Sequence, residues 1–350
     1  MSRPFSIAVV PGDGIGPEVT EVAMTVLEHV AQREGFGVTL TRYPYSADHY
    51  LSTGETLPEG ALEAWQAGDA IFMGAFGDPR VPDMRHAADI LLGTRFRLDL
   101  YANLRPVRCL DDRLCPLRGR SAADVNFTVF RENTEGLYVG MGGIFKKGTP
   151  DEIAIQEDVN TRKGVERIIR LAFEFAVAHD RHRVVMADKS NVLTFGHDLW
   201  QRTFRAVAEE FPGIEASHMY VDALAMQLLR RPMDFEVIVT CNMFGDILTD
   251  LGAALQGGLG MAASANLHPG KVGMFEPVHG SAPKYAGQDT ANPMGAVLTM
   301  ALMLDHLGVP EAARRIETAV ANCVQGGRAT RDIGGDLGTR AVGDALLAAL

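Results

Sequence analysis

Short unbroken apolar runs alternate along this chain with longer stretches whose apolar residues recur every three or four positions. The runs at 69–77 (DAIFMGAFG), 124–130 (DVNFTVF), 182–189 (HRVVMADK) and 235–242 (FEVIVTCN) read as strands, and 160–179, 197–210 and 295–307 carry the helical period. That alternation predicts an α/β protein with a mixed or parallel sheet. Residues 138–158 break the pattern, with glycines between short β-like pieces, and predict an exposed hairpin or arm. No internal repeat, low-complexity tract or linker-like composition interrupts the chain.

The first apolar run passes directly into a glycine turn, FSIAVVPGDGIGPEV, residues 5–19. A pyrophosphate-binding fingerprint needs G-x-G-x-x-G and an acidic residue about 20 positions later. Here the glycines are Gly12, Gly14 and Gly16, the next strand-like run ends without the acid, and Pro17 suits the first turn of a helix. The stretch therefore predicts a strand turning tightly into a helix, without a standard Rossmann unit. Any nucleotide must be held mainly elsewhere.

Composition narrows the partners. With 350 residues, 47% apolar and 22% charged, the chain is long enough for two domains with a sizeable core. A net charge of -11 argues against nucleic acid and anionic membranes, so a polyanionic substrate needs locally gathered arginines. Cys109, Cys115, Cys241 and Cys323 lack C-x-x-C spacing, which suggests neither a zinc knuckle nor a disulfide framework and leaves a reducing cytoplasm as the default. The first ten residues are too short an apolar stretch for a signal peptide or membrane span.

Several side chains are candidates for chemistry. In FGDILTDLGAAL, Asp246 and Asp250 stand four apart on a helical pattern and share one face, as a hard-cation site or as two solvated acids near a helix start. Asp222 in YVDALAMQLL is a possible third ligand for Mg²⁺ or Mn²⁺. Arg95, Arg105 and Arg131 belong to arginine-rich stretches whose guanidinium forks suit a di- or tricarboxylate, while Arg97 and Arg108 read as surface charge. Lys189 ends a buried-looking strand, where it is either a base or a plain strand-end charge, and Tyr138 is either a proton donor or a packing residue. The loop 275–293, FEPVHGSAPKYAGQDTANP, is long and dense in Gly, Pro, Ser, Asn and Asp, which makes it the better nucleotide candidate.

Taken in order, PGDGIGPEV, LLGTRFRLDLYANLRP, FRENTEGLY, ADKSNVL, YVDALAMQLL, NMFGDILTDL, FEPVHGSAPKYAG and ANP resemble the metal-dependent β-decarboxylating dehydrogenases of isocitrate, 3-isopropylmalate and related malates. The resemblance covers nearly the whole chain. It implies an α/β isopropylmalate/isocitrate dehydrogenase-like fold, with a discontinuous large cofactor-binding domain (1–100 and 252–350) around a small central domain (101–251) that carries the dimer interface and the arm. It assigns substrate binding to Arg95, Arg105 and Arg131, the metal to Asp222, Asp246 and Asp250, and acid-base work to Tyr138 and Lys189, assisted by Asp222. Lys189 and Asp222 would be lent by the other subunit of a homodimer. Cofactor contacts would come from Asn191, Arg231, Glu276, His279, Gly280, Ser281, Ala282, Lys284, Tyr285, Asn292 and Arg331.

Two local departures refine this expectation. Where the isocitrate branch has a serine and an asparagine before the first arginine, this chain has Asp89 and Leu91. Leu91 and Leu92 match the apolar pocket of the isopropylmalate branch, which favours 3-isopropylmalate or another alkylmalate over isocitrate, homoisocitrate, D-malate or tartrate. After HGSAP, the NAD-using pattern has an aspartate for the ribose hydroxyls, whereas Lys284 and Tyr285 stand here and favour NADP over NAD. Arg231 supports that reading; Arg331 and Gly335 replace the later tyrosine and arginine of the NADP enzymes. A catalytically silent subunit of the same fold would be expected to have lost Lys189, Tyr138 or an aspartate, and a simple anion-binding protein would not explain their joint presence.

Overall fold

The computed structural model describes residues 3–350 and divides them into two compact units. One comprises the chain up to Leu100, Arg105–Val125 and Ala253–Leu350; the other comprises Tyr101–Leu104 and Asn126–Gly252. The sequence placed 105–125 in the central domain, but this stretch packs with the chain ends: Arg113 donates to the Val324 carbonyl at 2.6 Å and Gln325 to the Leu110 carbonyl at 3.2 Å. β4 (Ala102–Arg108) carries residues of both units.

In the unit of the chain ends, β1 (Phe5–Gly12), β2 (Val38–Arg42), β3 (Ala70–Ala75), β11 (Ala263–Leu267) and β12 (Gly273–Pro277) run in the order β2-β1-β3-β12-β11. β1 is parallel to both neighbours, β3 is parallel to β12, and β11 is antiparallel to β12. Every residue of β3 is buried, the signature of a strand covered on both faces. The helix Gly16–Glu34 buries Val19, Val22, Ala23, Val26, Leu27 and Val30, the 3.6-residue stripe expected of a helix against a sheet. Helix Met294–His306 is apolar nearly all round and buried accordingly.

In the central unit, β5 (Asn126–Glu132), β8 (Arg183–Asp188), β9 (Glu215–Tyr220) and β10 (Val237–Thr240) form the parallel order β5-β10-β8-β9. The predicted helices lie at Arg162–Ala178 and Gly196–Ala208. Phe173 joins them, with ring centroids 5.5 Å from Phe204 and 5.2 Å from Phe211. The predicted arm is a two-stranded antiparallel hairpin of β6 (Gly142–Phe145) and β7 (Ile153–Gln156), exposed throughout. In each unit candidate residues stand where strands end: Asp13 follows β1 in one, and in the other Arg131 is next to last in β5 and Lys189 follows β8. The carboxyl ends of parallel strands are where open α/β sheets place their sites.

Candidate active site

In the central unit Arg131 is the pivot, 2% exposed at the end of β5. Its Nε and Nη2 donate to Asn242 Oδ1 at 3.0 and 2.8 Å, and its Nη1 pairs with Asp246. Tyr138 donates its hydroxyl to the other oxygen of Asp246 at 2.8 Å, and its ring lies 5.1 Å from the Arg131 guanidinium carbon. Gly245 makes this packing possible, because a Cβ there would sit 2.5 Å from Arg131 Cβ. Arg131, Tyr138 and Asp246, which the sequence nominated for three different tasks, are thus one hydrogen-bonded cluster.

A second cluster of this unit joins Lys189 to Asp222, Nζ to Oδ1 at 2.7 Å. The hydrogen bond from the ammonium holds the Asp222 carboxyl below the usual carboxylate range. Lys189 follows β8 and Asp222 opens the helix Val221–Arg230, which follows β9 directly. Asp250 lies one turn beyond Asp246 on helix Asn242–Leu255, offering two hard oxygen donors on one face. Among the described residues, no three of His, Cys, Asp and Glu come together as a metal-holding group, so one chain does not assemble Asp222 with Asp246 and Asp250. Asn191 is exposed in the loop after Lys189, and Arg231 pairs at 2.8 Å with Asp234.

In the unit of the chain ends, the opening glycine loop and the HGSAP loop are fastened together. Ile15 donates its N–H to the Ser281 carbonyl at 2.8 Å, and Ser281 donates its hydroxyl to the Gly77 carbonyl at 2.6 Å. Gly14, at φ +57°, approaches so closely that a Cβ would meet the Ser281 oxygen at 2.0 Å. Asp13, which the sequence reading passed over, is buried beneath and accepts from Ala47 N–H (2.7 Å), Gly77 N–H (2.8 Å) and His86 Nε2 (2.8 Å). A carboxylate between two turn glycines is the signal that would have found it.

Beside these loops opens a cleft of about 610 Å³ lined by Ile15, His279, Tyr285, Asn292 and Arg331, among others. His279 is buried, burial lowers its pKa, and its Nε2 is enclosed with no hydrogen-bond partner. A neutral imidazole nitrogen left unsatisfied at a cleft wall fits a ligand that offers it a donor, such as a nucleotide base. Lys284 and Tyr285 are exposed side by side, Nζ 4.7 Å from the ring centroid. Gly280 and Ala282 complete the loop, Ala282 in the left-handed region at φ +38°.

Glu276, predicted as a cofactor contact, faces Arg95: Oε1 accepts from Arg95 Nη2 at 2.6 Å and from Asn266 Nδ2 at 2.9 Å. Arg105 is buried on β4. Residues 88–92 form a wide π-helical turn, a feature often found at functional sites, and lead into the short helix that carries Arg95. Within it Leu91 and Leu92 are half-buried, Leu91 packing on the core around Ile90 and Leu98, while Asp89 accepts a hydrogen bond from Thr56 at 2.8 Å.

Residues 6–346 match the family described as isocitrate/isopropylmalate dehydrogenase. The chain belongs to that family. Relatives named 3-isopropylmalate dehydrogenase include one from Thermobifida fusca, 47% identical over 97% of this chain and 98% of the relative, and one from Clavibacter sepedonicus, 48% identical over 100% and 99%. Among solved structures, isocitrate dehydrogenase from Methylococcus capsulatus superposes with a TM-score of 0.88 at 37% identity, covering 99% of both chains. As a member of the isocitrate/isopropylmalate dehydrogenases the protein is an enzyme of a metal- and NAD(P)-dependent class.

Within the isocitrate/isopropylmalate dehydrogenase framework, sequence reasoning missed Asn242, which shares Arg131, and the buried Asp188 behind Lys189. Asn242 opens NMFGDILTDL as a polar residue at a helix start, a signal easily read as a cap.

Proposed function

We propose that this enzyme oxidises and decarboxylates 3-isopropylmalate to the corresponding 2-keto acid and CO₂, with reduction of NADP in preference to NAD. The observation that carries the substrate is the half-buried Leu91–Leu92 pair on the turn leading to Arg95, with Asp89 engaged by Thr56. Leucines receive an alkyl substituent; a third carboxylate would find no cation among them. The names of the relatives agree with this substrate.

In this reading Arg95, Arg105 and Arg131 bind the two carboxylates, fork to oxygen pair. Lys189 of the other subunit, held by its own Asp222, accepts the proton of the C2 hydroxyl, and Tyr138 returns a proton to carbon once CO₂ has left. Asp246 and Asp250, with Asp222 of the other subunit of a homodimer, would hold a Mg²⁺ or Mn²⁺. When bound, that cation supplies positive charge beside the hydroxyl and carboxylate, and the nicotinamide supplies the hydride acceptor. The exposed apolar side chains Val192, Phe195, Met226, Leu229 and Ile247 of the central unit suit a subunit interface, and light scattering is expected to give the mass of a dimer.

The test is the rate of NADPH formation against 3-isopropylmalate, isocitrate, homoisocitrate, D-malate and tartrate. 3-Isopropylmalate is expected to give the highest kcat/KM, and Leu91→Ser to lower it by about 10- to 200-fold while sparing D-malate. An equal fall for all substrates would remove the pocket.

For the cofactor, Lys284 donates but cannot accept from ribose hydroxyls, so it suits a 2′-phosphate. Hydrogen bonds to charged groups contribute about 1.5 to 3 kcal/mol, enough to favour NADP by about tenfold or more. Lys284→Asp with Tyr285→Ile is expected to turn the preference towards NAD; a wild-type kcat/KM higher with NAD overturns the assignment.

A further inference from the structure

We infer that His218 is a positioning residue for the Lys189–Asp222 pair, acting through the buried carboxylate of Asp188. The inference rests on the reading of Lys189 as the base.

Asp188 ends β8 and is 0% exposed. Its Oδ1 accepts from His218 Nε2 at 2.8 Å and from Ser190 N–H at 3.0 Å; its Oδ2 accepts from Gln201 Nε2 at 2.8 Å. A buried carboxylate survives only with its lone pairs satisfied, and here the donors lie on three different elements. The carboxylate therefore fixes the backbone on both sides of Lys189. Lys189 itself is fastened by its N–H, which donates to His197 Nδ1 at 2.9 Å. Burial lowers the His197 pKa, which keeps that ring neutral and able to accept.

His218 contributes what the other donors do not, a link to the strand that delivers Asp222. It lies on β9, two residues before Tyr220 and on the same face, and their rings meet edge to face at 5.1 Å. Tyr220 in turn lies under the Lys189 ammonium, 5.8 Å from Nζ to ring centroid, and the next helix turn presents Asp222. The contact from His218 to Asp188 thus ties the end of β8, with Lys189, to the β9–helix corner, with Asp222. Parallel pairing of β8 with β9 sets their register, but the loop after Asp188 lies beyond the ladder. The side-chain bridge takes over there.

His218→Leu removes the donor at similar size and His218→Ala removes it without bulk; His218→Gln keeps an amide N–H for Asp188. kcat with 3-isopropylmalate is expected to fall about tenfold or more in the Leu and Ala variants, since small misplacements of a catalytic group are costly, with KM within about twofold. The Gln variant is expected to recover kcat to within about threefold of wild type. A kcat within about twofold of wild type in the folded Leu or Ala variant, or a Gln variant as slow as these, overturns the inference. Lys189→Met is measured alongside: if that variant stays active, the assignment of the base has failed, which is a different result from unimpaired His218 variants.

Discussion

Two short ion pairs in this protein look alike on distance and differ in almost everything else. Arg95–Glu276 closes at 2.6 Å with both side chains under one-tenth exposed, and Lys189–Asp222 at 2.7 Å with 28% and 67% exposed. The first is embedded among further hydrogen bonds, including Asn266. The second faces solvent. A buried pair holds its members rigidly and becomes a liability when one is removed, whereas an exposed pair contributes little to stability and can exchange partners. The Arg95 guanidinium is accordingly fixed in place, and the Lys189 amine is within reach of other partners. Another buried acid completes the contrast: Glu132 accepts from Thr134 N–H, Thr134 Oγ1 and Glu135 N–H at 2.7 to 2.9 Å, and burial pushes its carboxyl up to about 7.

The strongest way to break this contrast is Lys189→Met. Loss of the base is expected to lower kcat by about a thousandfold while leaving the urea midpoint unchanged. Reduced stability with surviving activity would reverse the roles of the two pairs.

Glu276→Gln should show the opposite behaviour. It leaves the Arg95 charge without its carboxylate in a buried site and is expected to cost about 3 kcal/mol of unfolding free energy, read from urea titration. A variant as stable as wild type would mean that the pair is no more embedded than Lys189–Asp222.

Glu132 sharpens the comparison through pH. Its folded-state pKa lies above the unfolded value of about 4.5, so the folded protein holds the extra proton between the two values. Stability from this group is therefore present in full below about pH 4.5 and lost as pH rises to about 7, a change on the order of 3 kcal/mol. Comparing urea unfolding at pH 5 and pH 8, the wild type should lose more stability than Glu132→Gln. Equal losses would show that the hydrogen bonds to Glu132 offset its burial.

Much of the fold was legible because periodicity reports burial locally. β3, β8 and β10 fall inside the apolar runs that predicted them, β5 overruns its run by two residues at Arg131 and Glu132, and the helices Arg162–Ala178, Gly196–Ala208 and Met294–His306 lie within two residues of their patterns. The hairpin of β6 and β7 was visible as glycine punctuation around exposed β-branched residues. Domain division was less legible: residues 105–125 carry no period that tells which unit they join, and only their bonds to Val324 and Gln325 decide it.

For the site, the sequence by itself determined residue types and order: arginines, an aspartate pair at helical spacing, a lysine after a strand, a tyrosine after FRENTEG, and a loop with lysine where an acceptor would serve NAD. Tertiary structure alone decided partnerships. Glu276 went to Arg95, Asp246 took both Arg131 and Tyr138, and Asp188 gathered His218, Gln201 and Ser190. The physical reason is range. Apolar periodicity records a residue's exposure to its own element, within a turn or two of chain, whereas a hydrogen bond between residues 108 or 181 positions apart depends on how several elements stack, and leaves no period in the sequence to read.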